Sequence, residues 1–157
     1  MADRPLDPRH EVLFTQLREY RMEFLGLTEG VDEARASIVP PGFRNDLRWH
    51  LGHVYVDQYA WVRALTGEPQ PVPEAFETWF GFGTDPSAFS ADTPSFHELR
   101  ALLAGQPADL RRRYAARLTE RFAPVESGAH TIEQVLVRTI FHEGIHLGNV
   151  RDLLRFV

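Results

Sequence analysis

The chain has 157 residues, 43% of them hydrophobic, which suffices for one continuous core, so a single domain over residues 1–157 is expected. It contains no cysteine, which excludes disulfides, thiolate ligands and a protein-borne thiol nucleophile and leaves His, Asp and Glu to hold any metal. A net charge of −5, with no basic run longer than Arg111-Arg112-Arg113, disfavours nucleic acid as a partner, and that triplet reads as a solvated helix face.

The N-terminal Met-Ala-Asp-Arg-Pro-Leu-Asp-Pro is not a basic segment followed by an apolar one, and no window reaches the roughly 18 apolar residues that cross a bilayer. A cytoplasmic protein without a membrane partner is expected. The first amphipathic segment runs from about Pro8 to Leu27, with Val12, Leu13, Leu17, Tyr20, Phe24 and Leu27 near helical spacing, Asp7 as cap and Pro8 at the first helical position. Thr28 to Phe43, with Pro40-Pro41-Gly42, reads as a connection.

The second helix is predicted from Asn45, as N-cap, to Thr66, where Gly67 and then Pro69 stop it. Residues 67–94 are rich in proline and glycine yet carry Phe76, Trp79, Phe80, Phe82 and Phe89, so a structured lid or a dimer contact is expected rather than a disordered linker. A third helix opens after Pro94-Ser95 and keeps its period to Phe122, with a kink expected near Pro107. Thr131 with Gln134 three residues on has the signature of a capping box, and the fourth helix then continues to Leu154. No stretch alternates with period two for long enough to make a strand, so four helices packed as an all-α bundle are predicted.

His142 and His146 stand four apart on the fourth helix, so both imidazoles share its inward face, within reach of one metal ion. Two buried imidazoles with no partner would be costly, although satisfied core histidines give the same pattern. Literally, His142-Glu143-Gly144-Ile145-His146 is the H-E-x-x-H of zinc peptidases, with Glu as general base. Only eleven residues follow His146, and Asp152 is their sole acidic side chain, so a later third ligand of the peptidase kind is disfavoured. The richest source of a third ligand is Trp49-His50-Leu51-Gly52-His53, where a simple wheel sets His50 nearer than His53 to the apolar direction.

Gly42-Phe43-Arg44-Asn45-Asp46-Leu47-Arg48-Trp49-His50-Leu51-Gly52-His53 on the second helix, with His142-Glu143-Gly144-Ile145-His146-Leu147-Gly148-Asn149 on the last, resembles the DinB-like superfamily. That superfamily includes the YfiT-type metal-dependent hydrolases and bacillithiol transferases, with mycothiol-dependent maleylpyruvate isomerases as more distant relatives. The resemblance implies a four-helix bundle that commonly dimerises and a divalent metal, zinc or nickel, on His53, His142 and His146. It also implies a low-molecular-weight thiol such as bacillithiol as cosubstrate, attacking a small-molecule electrophile in a stress or detoxification role. Two alternatives accompany it: a hydrolase using a metal-bound hydroxide, and a non-catalytic metal-binding stress-response scaffold.

Three neutral imidazoles leave an open position on a metal, as catalytic sites do. Glu143, on the inward side beside His142, is the candidate catalytic residue, to orient a ligand or move a proton, with an arginine-paired boundary carboxylate as the other reading. Asp57 and Asn149 are weaker outer candidates, Arg138 either binds an anionic substrate group or faces solvent, and His10, His97 and His130 read as surface residues. The loop phenylalanines either pack in the core or wall a substrate pocket.

Overall fold

A computed structural model describes residues 6–157; residues 1–5, part of the N-terminal stretch considered above, lie outside the described residues. The elements are helices α1 Pro8–Leu27, α2 Glu33–Ala36, α3 Leu47–Thr66, α4 Ala75–Phe80, α5 Phe96–Tyr114 and α6 Ile132–Leu153, with single 3₁₀ turns at Pro86–Ala88 and Ala115–Arg117. Among the described residues there is no strand beyond one isolated bridge between Arg121 and Thr131. None of these helices is long and apolar enough to cross a membrane.

The four long helices form the expected all-α bundle. Helix α1 packs on α5 and α6, and α3 packs on the same two, so α1 and α3 face each other diagonally across the core. Leu17, Phe24, Leu51, Val62, Leu99, Leu103, Leu110, Leu136, Val150 and Leu153 fill the space between them.

Local chemistry sets the helix ends. Asp7 caps α1 by accepting from the Arg9 amide at 2.9 Å, and Gly67 ends α3 in the left-handed conformation at φ 69°, where a side chain would be strained. The start of α3 lies one residue later than the sequence suggests: Asp46, not Asn45, accepts from the Trp49 amide at 2.7 Å. The reciprocal capping box sits on α5, between Ser95 and Glu98. At α6 Thr131 accepts from the Gln134 amide, but Gln134 Oε1 reaches back to the amide of His130, so that box is displaced by one residue. Helix α5 continues through Pro107 and ends at Tyr114, short of the Phe122 to which its apolar period extends, and a 3₁₀ turn at Ala115–Arg117 follows.

The inward face of α1 differs from the expected one. Val12 and Tyr20 point outward, and the charged side chain of Arg21 lies in the core with 1% of its surface exposed. The basic triplet is solvated, as expected, and paired with Glu11 and Asp109. His10 is an exception to the surface reading: it is buried, 3.4 Å from Glu133.

The long connection between α3 and α5 is ordered over the bundle. Phe76 and Phe80 of α4 are buried while Phe82 stands wholly exposed. A Cβ at Gly52 would overlap the ring of Phe80, so that glycine allows α4 to lie directly on α3. On the outer face of α6, Val137, Phe141 and Ile145 are exposed at four-residue spacing, with Gly144 and Gly148 among them.

Candidate metal centre

Helix α3 brings His50 and His53 inward, and α6 brings His142 and His146 to meet them. One ring nitrogen from each of His53, His142 and His146 lies within 4.8 Å of the other two. Nε2 of His142 is 3.3 Å from Nε2 of His53 and 3.2 Å from Nε2 of His146. Tetrahedral ligation at the usual zinc–imidazole length would separate two nitrogens by about 3.3 Å, so the spacing fits a single small cation.

The hydrogen positions point the same way. A carbonyl oxygen only accepts, so His53 must carry its hydrogen on Nδ1, where it donates to the Phe80 carbonyl at 2.7 Å and leaves Nε2 as a bare lone pair. At His142, Asp57 Oδ2 lies 3.0 Å from Nδ1 and favours a hydrogen there, again freeing Nε2. The Asp57 oxygen is not aligned as a hydrogen-bond acceptor, so this contact is one of proximity. Two lone pairs 3.3 Å apart repel unless positive charge lies between them. A proton on His142 satisfies one neighbour at a time; a metal cation satisfies every imidazole it touches.

Packing fixes the rings. Trp49 stacks on His53 with ring centres 4.6 Å apart and planes 9° from parallel, and its Nε1 donates to Thr84 Oγ1 at 2.9 Å. His50 and His146 are both buried. Arg138 covers the far side of Asp57, with its guanidinium carbon 3.7 Å above the Trp61 ring and Nη1 3.8 Å from Asp57 Oδ2. It is therefore partly enclosed by its own chain. Asn149 is exposed, away from the outer position proposed for it.

Matching residues 16–150 is a model of the DinB superfamily. The chain belongs to the DinB superfamily. Among curated proteins nothing matches. In this DinB-superfamily protein the histidine cluster is compatible with metal binding, and the helix-two ambiguity separates into two roles: His53 faces His142 and His146, while His50 lies behind His146.

Glu143 does not face the imidazoles. Its two carboxylate oxygens accept from Arg21, Oε1 from Nε at 2.5 Å and Oε2 from Nη2 at 3.1 Å, and 3% of the residue is exposed. Arg21 also donates to the Leu103 carbonyl, Gln106 Oε1 and Gln58 Oε1, so it ties α1 to α3, α5 and α6 at once. The arginine-paired reading of Glu143 describes these contacts, and the proton-moving reading has none of its own. Sequence reasoning passed over Arg21, Gln58 and Gln106. The available signal was a polar residue on the inward stripe of each helix, Arg21 standing between Leu17 and Phe24.

Burial is also the first cause of the histidines' acidity. It drives His146 from 6.5 to about 2, reinforced by the neighbouring imidazoles, drives His50 to about 4, and lowers His53. In the metal-free fold His146 and His50 stay neutral below pH 6.5 while the unfolded chain protonates them, so unfolding takes up protons and stability drops as the pH is lowered from 6.5. Asp46, raised by burial from 3.8 to about 6, acts in the opposite sense between those values and offsets one histidine. Each remaining net proton changes stability by about 1.4 kcal/mol per pH unit. Chelator-treated protein should melt at a lower temperature at pH 5 than at pH 7; an equal or higher melting temperature at pH 5 would contradict the neutral buried cluster.

Proposed function

We propose that this protein is a metal-dependent transferase that joins a low-molecular-weight thiol, of the bacillithiol kind, to a small electrophile, with His53, His142 and His146 holding zinc or nickel. The observation that carries this reading is the convergence of three imidazole nitrogens at one point, in a chain with no thiol of its own. A divalent cation there would supply the Lewis acidity that makes a bound thiol ionise near neutral pH.

The chain's own residues orient and enclose. The Phe80 carbonyl fixes the tautomer of His53, Asp57 favours a hydrogen on Nδ1 of His142, and Trp49 covers one face of His53. In the reaction the thiol loses its proton to solvent, its sulfur forms a bond to the electrophilic carbon, and the leaving group departs with its electron pair. No protein base is required once the thiol is ionised, which suits a site whose nearest sequence-predicted base is held by Arg21. The hydrolase alternative, in which the cation would ionise water instead, is distinguished by turnover that needs no added thiol.

Zinc- or nickel-loaded protein given bacillithiol and monochlorobimane or a halonitrobenzene should form the conjugate faster than the uncatalysed mixture, and chelation should remove the gain. Ester or amide turnover without added thiol, or no thiol consumption with stoichiometric metal, would refute the assignment. We further propose pairing with a second copy, for which the exposed Val137, Phe141 and Ile145 of α6 offer an apolar face besides the ordered 67–94 connection. A monomeric mass by light scattering would refute that pairing.

A further inference from the structure

His50 makes a contact that three metal ligands do not require. Its Nδ1 lies 2.8 Å from Nδ1 of His146, on the opposite side of the His146 ring from the Nε2 that meets His142. With both rings neutral, a single hydrogen occupies that gap, so one ring donates and the other accepts. The two arrangements differ in what they leave at the centre. If His50 donates, the His146 hydrogen sits on Nε2, aimed among the other imidazoles, and closes that nitrogen to a cation. If His146 donates, its Nε2 is a lone pair directed like those of His53 and His142.

We propose that His50 is a positioning residue: it accepts the Nδ1 hydrogen of His146 and so holds that ring in the tautomer able to act as the third ligand. It would serve His146 as the Phe80 carbonyl serves His53, while Asp57 Oδ2 stands 3.0 Å from the outer nitrogen of His142, so each of the three rings meets an electron-rich group there. Unlike a carbonyl or a carboxylate, an imidazole can turn from acceptor to donor by moving its own hydrogen from Nε2 to Nδ1. The His50–His146 pair is therefore the one link in the cluster that can exist in a binding and a non-binding form. His50 is held inside the fold, with its ring centre 5.1 Å from that of His146 and 5.4 Å from that of Trp49, so the contact is a packed one.

This inference rests on the metal-site reading, and the experiment separates the two. Zinc affinity is measured by chelator competition for wild type, His50→Leu and His50→Asn, and histidine tautomers in zinc-loaded wild type are read from long-range ¹⁵N–¹H NMR. Asn places an acceptor oxygen near the site of Nδ1; Leu removes it at similar size. The expected result is a 10- to 100-fold loss of affinity in His50→Leu, roughly the effect of losing an outer-shell partner, with most of it restored in His50→Asn. The NMR pattern should show His146 protonated on Nδ1 and His50 on Nε2. A His50→Leu protein that binds zinc as tightly as wild type, or a zinc-loaded wild type with His50 protonated on Nδ1, would overturn the proposal. Should His50→Leu not fold, the wild-type spectrum still decides. A wild type that binds no zinc overturns the site itself, and the proposal with it.

Discussion

His142→Ala protein, purified and metal-loaded in parallel with wild type, should bind zinc at least about 1000-fold more weakly, roughly 4 kcal/mol at 1.4 kcal/mol per decade. The size of the effect follows from the position of this ring. Its Nε2 is the nitrogen within 3.3 Å of both other donors, so its removal leaves two imidazoles, one from each helix, to hold the cation. His53→Ala should behave similarly, because it takes away the only α3 donor of the trio. Elemental analysis after desalting reads the result: metal near one equivalent in wild type and near zero in either variant. Near-full occupancy in either variant would place the metal elsewhere. In the metal-free state His142→Ala should cost less fold stability than His53→Ala, which also removes the ring stacked on Trp49 and the donor to the Phe80 carbonyl.

The second large effect lies deeper in the bundle. Arg21→Met should lower unfolding stability by about 3–5 kcal/mol, the range for breaking a buried ion pair from one side, because Glu143 is left as an unpaired carboxylate in the core. Loss of the bonds to Leu103, Gln106 and Gln58 sets the upper end of that range. Arg21→Met combined with Glu143→Leu should be more stable than Arg21→Met alone, because no uncompensated charge remains and apolar side chains of similar volume fill the space. Gln58 and Gln106 keep their bonds to Thr139 and the Tyr55 carbonyl in that protein. Urea denaturation of the three proteins decides it. Equal stability of Arg21→Met and wild type, or a double variant weaker than the single, would refute the structural role given to the pair. The same experiment bears on function: if Glu143 serves Arg21, then Glu143→Gln weakens the fold more than it slows any metal-dependent step.

Much of this architecture was legible because its signals are local. Four apolar stripes, the Gly67 stop and the capping residues follow from spacing and side-chain chemistry within one helix turn. So do the paired inward histidines of α6. What was not legible depends on how helices meet. His50 and His53 are about 60° apart on the α3 wheel, too close for periodicity to separate, and the packing of α6 alone decides that His53 meets His142 while His50 meets the back of His146. Glu143 read as a residue of the site because it adjoins His142 in sequence, yet one step along a helix turns a side chain by about 100°, here towards Arg21 on α1. Arg21 was overlooked because a charge on an apolar stripe reads as an interruption. Only Glu143, Gln58 and Gln106, from three other helices, make it a core residue. The Phe80 carbonyl is a backbone group and leaves no mark in the sequence; only the glycine at position 52, which lets that chain come close, hinted at the approach.

The measurement closest to the centre of this account is X-ray absorption at the zinc edge of protein loaded with one equivalent. The account predicts a first shell of three imidazole nitrogens at about 2.0–2.1 Å with a further light-atom ligand, replaced in part by sulfur when a small thiol is added. A shell with fewer than three imidazoles, or one that does not change with thiol, would contradict it.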